Sequence, residues 1–194
     1  MPRKAQPKAK DRGAAIVEAA LALAIEGGFE NVRQREVAAR AGVTLRTLYR
    51  KFPNKHELLA AGLSRSVEEL HRRLAERPIR ARRPSARLTQ LFGEMTAVFC
   101  DEPNLGRAVV RALVSGSTFS AESALAYFTR VLELVLHAMR GASETGEASV
   151  LETERAMLLL QIWFAGLVSW LAGAVDAAGI RALVAIGIRH IVED

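Results

Sequence analysis

The feature that most constrains this chain is a pair of short helical stretches that meet at a glycine, within residues 33–52, RQREVAARAGVTLRTLYRKF. Gly42 can take the left-handed backbone conformation of a tight turn at little cost. Thr44 is of a residue type that caps helix N-termini, and Pro53 stops the second helix because it lacks a backbone N–H. The stretch therefore predicts two short crossed helices, the arrangement called a helix-turn-helix.

The residues between these signals suit the same arrangement. Asn31 is expected to cap the first short helix, with Gln34 three residues on as in a capping box. Ala38 is small where the two helices cross, and Val43 and Leu48 are placed to fill the core between them. We therefore predict a module with a small core of its own.

The second helix is expected to turn a basic, hydroxyl-bearing side outward. Arg46 can pair in bidentate fashion with a guanine edge, threonines can contact bases or phosphates, and Leu45 can pack on a thymine methyl. Such a side fits the major groove of DNA. The residues expected to face DNA are Arg33 and Gln34 on the first helix and Thr44, Leu45, Arg46, Thr47, Arg50 and Lys51 on the second.

The net positive charge belongs to the first third of the chain. Residues 1–63 hold 12 Lys plus Arg against 6 Asp plus Glu, whereas residues 64–194 hold 15 of each, so the net charge of +6 lies in the first segment. A phosphate-binding module joined to a neutral body has this distribution. A basic tail that is merely solvated is the alternative explanation.

Glycine, proline and changes in composition divide the chain into five segments. Helical apolar periodicity continues through the body, and no alternating strand pattern is found, so we predict an all-α fold of about nine helices: a three-helix N-terminal module followed by a C-terminal bundle. The expected order is a disordered basic arm at 1–10, a helix-turn-helix domain at 11–53, a connecting helix at 54–77, a linker at 78–87 and a ligand-binding and dimerisation domain at 88–194.

The last two predicted helices are the most apolar part of the chain. Residues 157–175 contain no charge and reach the lower limit of a membrane-spanning helix, so a membrane-anchored binding module is one alternative. Arg155 and Asp176 bracket the stretch tightly, which argues against it. Instead, we expect both apolar faces to be covered in a homodimer. The expected interface is Ala165, Ser169, Gly173, Ile180, Val184, Gly187 and Ile191.

Spaced residues over about positions 10–63 resemble the N-terminal domain of the TetR family of regulators. The resemblance implies a ligand-responsive repressor that binds a near-palindromic operator as a dimer, with Tyr49 and Lys55 on the DNA backbone. Arg46 departs from the family, where glycine or alanine is common, so its base preference does not follow from the family. The matching residues are Ile16, Ala19-Ala20, Gly27-Gly28-Phe29, Val37-Ala38, Ala41-Gly42-Val43-Thr44, Thr47-Leu48-Tyr49, Phe52, Lys55 and Leu58-Leu59.

The body is similar to the actinobacterial repressors of steroid and lipid catabolism, at Arg111-Ala112, Ile162-Trp163 and Trp170-Leu171. This similarity implies a small apolar effector that is sterol-like or an acyl thioester. The residues expected to line its site are Phe92, Met95, Phe99, Arg107, Arg111, Leu113, Phe119, Tyr127, Phe128, Gln161 and Phe164, with Arg107, Arg111 and Gln161 as polar anchors. Ordinary core packing is the alternative for the apolar members, and a surface position for the polar ones.

The sequence offers little for catalysis or metal binding. Cys100 is the single cysteine and is expected to be a small buried hydrophobe, and the four histidines have no metal-ligand spacing. A phosphate-binding glycine loop, a nucleophile elbow and paired carboxylates are all missing, so a small helical enzyme is only a formal alternative. We therefore expect no enzyme activity, no metal and no cofactor. Because the start lacks the apolar stretch of a signal peptide, we expect a cytoplasmic location.

Overall fold

The computed structural model of the chain describes residues 9–76, 79–114, 121–141 and 146–192, and all regular structure within these ranges is helical. The described part holds nine helices, which confirms the predicted fold class. They are α1 (Ala9–Asn31), α2 (Gln34–Arg40), α3 (Leu45–Lys51), α4 (Lys55–Glu76), α5 (Pro84–Cys100), α6 (Pro103–Val114), α7 (Ala121–Arg140), α8 (Val150–Leu171) and α9 (Ala177–Ile191).

Short polar side chains begin several helices by accepting hydrogen bonds from backbone N–H groups in the first turn. Thr44 caps α3 as predicted, and Asn54 Oδ1 accepts from the N–H groups of His56 and Glu57, both at 2.9 Å, before α4. Ser149 forms a capping box with the third residue of α8, and Asp176 caps α9. Local sequence signals thus set these helix starts.

Two predicted boundaries differ from the structure. Asn31 does not cap α2: it is the last residue of α1, and Arg33 takes the capping position without a side-chain bond. The chain turns there through its backbone, since the N–H of Arg33 donates to the carbonyl of Asn31 at 2.9 Å. α1 begins at Ala9, inside the arm expected at 1–10, of which residues 1–8 lie outside the described ranges.

The described residues form two compact units. Unit 1 takes the residues up to Ser64 together with those from Glu102 to Val114, so it contains α1, α2, α3, the first half of α4 and α6. This grouping differs from the expected domain at 88–194, because Ala108 and Ala112 of α6 are buried in the core of unit 1. That core also contains Ile16, Val17, Ala19, Ala20, Leu23, Ala24, Val32, Val37, Ala38, Leu48, Leu58 and Leu59.

Unit 2 is a bundle in which α5 packs on α7 and α9, and α8 packs on the same two helices. Thr96 is the only buried polar residue in the described chain. Its hydroxyl donates to the carbonyl of Phe92 at 2.7 Å and accepts from Nε1 of Trp163 at 3.1 Å. The centre of this unit is therefore largely apolar, and the buried hydroxyl of Thr96 has its hydrogen bonds satisfied.

An arginine ties the segment before α5 to the end of α7. α5 begins at Pro84, inside the linker expected at 78–87, because proline is well suited to the first position of a helix. Arg87 donates to the carbonyls of Ala138 at 2.6 Å, Met139 at 2.7 Å and Arg82 at 2.7 Å. Two of these carbonyls belong to the last turn of α7, where intrahelical partners are missing. Arg87 thus holds the 79–83 segment in place.

Candidate nucleic-acid interface

A hydrogen-bonded glycine turn joins α2 to α3. Gly42 has a φ of +64°, its N–H donates to the carbonyl of Ala39 at 3.2 Å, and the N–H of Val43 donates to that of Ala38 at 3.0 Å. These bonds satisfy carbonyls that the end of a helix leaves without partners. The turn therefore ends α2 and fixes the direction in which α3 starts.

α3 is anchored on one side and exposed on the other. Leu48 is fully buried, and the half-buried Leu45 and Val43 pack against the same core. At the start of α3, Oγ1 of Thr44 accepts from the N–H of Thr47 at 3.2 Å, and the two threonine hydroxyls lie 3.0 Å apart. Because Leu48 faces inward, the opposite side of α3 faces solvent.

The exposed side carries most of the residues that were expected at DNA. Arg33, Thr44, Arg46, Tyr49, Arg50 and Lys51 are exposed, whereas Gln34, Leu45, Thr47 and Lys55 are half-buried. Gln34 Nε2 donates to the carbonyl of Pro53 at 3.4 Å, so its side chain contacts the end of the α3 segment. α3 contains three basic residues and no acidic one, which gives this surface a positive potential.

Lys55 begins α4, and its ammonium group is already engaged. Nζ lies 3.4 Å from the carbonyl oxygen of Phe29, 3.7 Å from the centre of the Phe29 ring and 3.7 Å from Oε2 of Glu30. A cation over an aromatic ring and beside a carboxylate is held by two attractive interactions. Lys55 must leave these partners, or share them, to contact a phosphate.

Glu30 and Arg111 form a contact near Lys55 that the sequence did not predict. Sequence patterns assigned Glu30 no role in this region and predicted Arg111 as a polar anchor of the effector site. In the structure Nη1 of Arg111 lies 3.4 Å from Oε1 of Glu30, and its guanidinium carbon lies 5.9 Å from the centre of the Phe29 ring. His56 contacts the same ring, with 5.0 Å between centroids. Glu30 and Arg111 are 81 positions apart, so local sequence patterns contain no signal for their contact.

Two family models match the chain. Residues 16–61 match a model described as "Bacterial regulatory proteins, tetR family", and residues 82–191 match one described as "Tetracyclin repressor-like, C-terminal domain". The chain belongs to the TetR family. The matches cover the helix-turn-helix at one end and helices α5 to α9 at the other.

Relatives of known function support this assignment. The HTH-type transcriptional repressor KstR of Rhodococcus jostii is 34% identical over 172 residues, which cover 87% of this chain and 78% of that protein. The KstR of Mycobacterium tuberculosis is 28% identical over 185 residues, covering 95% and 82%. The chain is therefore a TetR-type transcriptional repressor of a ligand-responsive family.

Solved structures show the same fold. A TetR regulator from Rhodococcus sp. RHA1 superposes with a TM-score of 0.83 at 23% identity, covering 95% of this chain and 97% of that one. Thermus thermophilus FadR, in complex with lauroyl-CoA, gives a TM-score of 0.67 at 20% identity, covering 94% and 96%.

The apolar residues expected at the effector site of this TetR-family protein fall into different surroundings. Phe92, Met95, Phe99 and Tyr127 are buried in unit 2, Phe164 is half-buried, Phe128 is 45% exposed, and Phe119 lies outside the described residues. The rings of Phe92 and Phe99 lie 6.2 Å and 5.5 Å from that of Trp163, so these two pack as core residues. Leu113 is half-buried in unit 1 instead.

The three residues predicted as polar anchors are exposed in the structure. Arg107 and Arg111 are exposed on α6 in unit 1, where Arg111 pairs with Glu30, and Gln161 is exposed on α8. Polar side chains of this size stay in water because burial without partners is costly. None of the three is buried in the structure.

The residues predicted at the dimer interface fall into different surroundings. Ile180, Val184 and Gly187 are buried within the chain, because α9 packs on α8: a Cβ on Gly187 would lie 2.7 Å from Cδ1 of Ile162. Gly173 follows the end of α8 with a φ of +78°, so it terminates that helix. Ala165 is exposed, and Ser169 and Ile191 are half-buried.

Several large apolar side chains of these two helices are exposed. Leu158, Val168, Leu183 and Ile186 are between 37% and 55% exposed, and Ala165 lies on the same stripe of α8 as Leu158 and Val168. We call these five residues the α8–α9 outer face. The interface residues predicted on α9 include Ile180, Val184 and Gly187, which the structure buries within the chain.

Metal binding and membrane anchoring find no support among the described residues. No group of three metal-binding side chains occurs there, and none of the helices has the length and apolarity to cross a bilayer. The apolar stretch at 157–175 is divided, since α8 ends at Leu171. Cys100 is half-buried rather than buried, and desolvation raises its pKa, which keeps it a thiol.

Gly42→Ala should destabilise the protein by about 1–2 kcal/mol, since an L residue is strained in the left-handed region. No atom lies within 4 Å of an added Cβ, so the loss is purely conformational. Urea unfolding measures the change. Gly42→Asn is the matched control and should lose less, because asparagine tolerates this conformation; equal losses would contradict the explanation.

Proposed function

We propose that this repressor binds a near-palindromic double-stranded DNA operator as a homodimer, and that a small apolar effector releases it. The exposed basic side of α3, presented by the Gly42 turn, is the observation that carries the proposal. The site of action is the cytoplasm, where bacterial DNA lies, and the protein is a regulator without catalytic activity.

DNA reading is divided between two kinds of contact. Arg46 is exposed on α3 and presents a planar fork of donors suited to a guanine edge, so it is the proposed base-reading residue. The exposed Tyr49, Arg50 and Lys51, and Lys55 at the start of α4, are proposed to contact phosphates. A lysine in the first helical turn adds its charge to N–H groups that also attract anions.

The homodimer is proposed to form through the α8–α9 outer face. Large apolar side chains exposed side by side on two adjacent helices are rarely left in water. Covering them with the same face of a second chain gives a two-fold axis. Such a dimer would place its recognition helices roughly 34–36 Å apart, one turn of DNA, and would read an inverted repeat.

The effector is proposed to enter unit 2. Its buried side chains among those described are apolar apart from the hydroxyls of Thr96, which is already hydrogen-bonded, and Tyr127, so the interior favours an uncharged, apolar ligand body. The sequence similarity to steroid- and lipid-catabolism repressors predicts a sterol-like or acyl thioester ligand, and the similar fold of FadR is known with lauroyl-CoA bound. Release requires that the effector binds the DNA-free state more tightly than the bound state.

The DNA probe for this prediction is a sequence that the protein selects from a random pool. Arg46→Ala should lower the affinity for this selected DNA by about 1–3 kcal/mol and relax the preference at one base position. Lys55→Ala should weaken binding to all sequences alike and reduce the slope of log affinity against log salt by about 1. Fluorescence anisotropy across a salt series measures both. Equal losses on selected and random DNA for Arg46→Ala would contradict its base-reading role.

Val168→Glu combined with Ile186→Glu should convert the dimer to monomers, because two buried carboxylates per chain would lose hydration without partners. Sedimentation velocity measures the outcome. Leu125→Glu on α7 is the matched control, since Leu125 is 69% exposed and lies outside the α8–α9 outer face. An unchanged dimer in the double variant would rule out this face as the interface.

A sterol and lauroyl-CoA should be compared with a cationic dye by thermal shift and DNA release. We expect a ligand with an apolar body to raise the melting temperature and release DNA, and the dye to do neither. Tyr127 is buried in unit 2, and we propose its hydroxyl as a donor to a ligand carbonyl. Tyr127→Phe should then weaken ligand binding by about two- to tenfold. A response to the dye alone would contradict the proposed ligand class.

A further inference from the structure

One carboxylate in unit 1 is shared between two cations from different helices. Oε2 of Glu30 lies 3.7 Å from Nζ of Lys55 in α4, and Oε1 lies 3.4 Å from Nη1 of Arg111 in α6. Both cations also lie against the ring of Phe29, at 3.7 Å and 5.9 Å from its centre. Lys55 and Arg111 therefore share the same two partners.

We propose that Glu30 restrains Lys55 from binding DNA phosphate and that Arg111 weakens this restraint, so that Glu30 and Arg111 are positioning residues for DNA binding. The proposal rests on the proposed function, since it takes Lys55 as a phosphate contact. Neither Glu30 nor Arg111 needs to touch DNA for this role.

The restraint has two electrostatic parts. Glu30 attracts the ammonium group of Lys55 directly, and the same carboxylate repels any phosphate that approaches this ammonium, because the two anions would then lie on one cation. The side chain of Lys55 is 28% exposed, so screening of its interactions is incomplete, while that of Glu30 is 77% exposed. The net effect is accordingly modest, on the scale of a surface ion pair.

Arg111 acts on the second oxygen of the same carboxylate. Its positive charge offsets the charge of Glu30, which lowers both the hold on Lys55 and the repulsion of phosphate. His56, the next titratable neighbour, donates to the carbonyl of Ala112, and burial together with Lys55 lowers its pKa, so it is largely neutral near pH 7. Arg111 is thus the cation that balances Glu30 when Lys55 moves away.

Contacts of α6 hold Arg111 in register with Glu30. Ala108 and Ala112 are buried against α1, and Nδ2 of Asn104 donates to the carbonyl of Ile25 at 3.0 Å. Arg111 directly precedes Ala112, so a shift of α6 along α1 would change the distance between Arg111 and Glu30. The hold on Lys55 would then change with the position of α6.

A double-mutant cycle on the full-length protein tests the proposal. Glu30→Gln should raise affinity for selected and random DNA alike by about two- to fivefold and steepen the salt dependence, as expected for an ion pair of this kind. Arg111→Ala should lower affinity by a similar factor. In the Glu30→Gln background, Arg111→Ala should have no further effect, because the charge that it offsets is gone.

Glu26→Gln is the matched control: it removes the same charge four residues earlier, before the non-helical Gly27 and Gly28, where Glu26 pairs with Arg40 at 2.6 Å instead of with Lys55. In that background Arg111→Ala should retain its full loss. An undiminished loss in the Glu30→Gln background would show that Arg111 acts only as a general positive charge and would overturn the proposal, as would unchanged DNA affinity in Glu30→Gln. Lys55→Ala separates failure of the proposed function from failure of this inference. If Lys55→Ala left the salt dependence of binding unchanged, the proposed phosphate contact itself would be wrong. If Lys55→Ala reduced the salt dependence but Glu30 and Arg111 showed no coupling, only this inference would be wrong.

Discussion

The burial of Leu48 is the constraint on which the function of this protein depends. α3 has only seven residues, and isolated helices of this length are unstable in water. Contacts with the rest of unit 1 must therefore stabilise both the helix and its orientation about its own axis. With Leu48 fully buried, only one side of α3 can face outward, and that side carries Arg46 and Arg50. The hydrophobic effect therefore decides which side chains are offered to DNA, although the side chains proposed to bind it do so through charge and hydrogen bonding.

The elements that sequence predicted well are those set by neighbouring residues. The left-handed Gly42, the cap by Thr44 and the stop before Pro53 each depend on backbone groups within a few positions, so the helix-turn-helix was predicted almost to the residue. The nine helices of the described residues followed from apolar periodicity in the same way. Asn31 was misassigned because a capping residue type alone does not make a cap. The backbone N–H of Arg33 closes the turn on the carbonyl of Asn31, and the side chain of Asn31 does not cap α2.

The elements that sequence could not predict depend on distant contacts. Periodicity predicted an apolar face on α9, but only packing on α8 and α5 decides that Ile180 and Val184 are buried while Leu183 and Ile186 are exposed. The chemical type of Arg111 suggested an anchor for a ligand, yet the carboxylate it pairs with is supplied by a residue 81 positions earlier. Such pairs are set by the tertiary fold, which single-sequence patterns do not encode directly.

The place of α6 in unit 1 has a consequence for how the DNA-reading part can be handled. A fragment that stops at Ser64 would contain every residue of the helix-turn-helix but would lack Ala108 and Ala112, exposing to water the side of α1 that they cover. The DNA-reading part is therefore not an autonomous N-terminal module that could be cut out and grafted onto another protein. Its folding is completed only by a segment synthesised after α5. The sequence of the C-terminal body therefore also determines whether the DNA-reading part can fold.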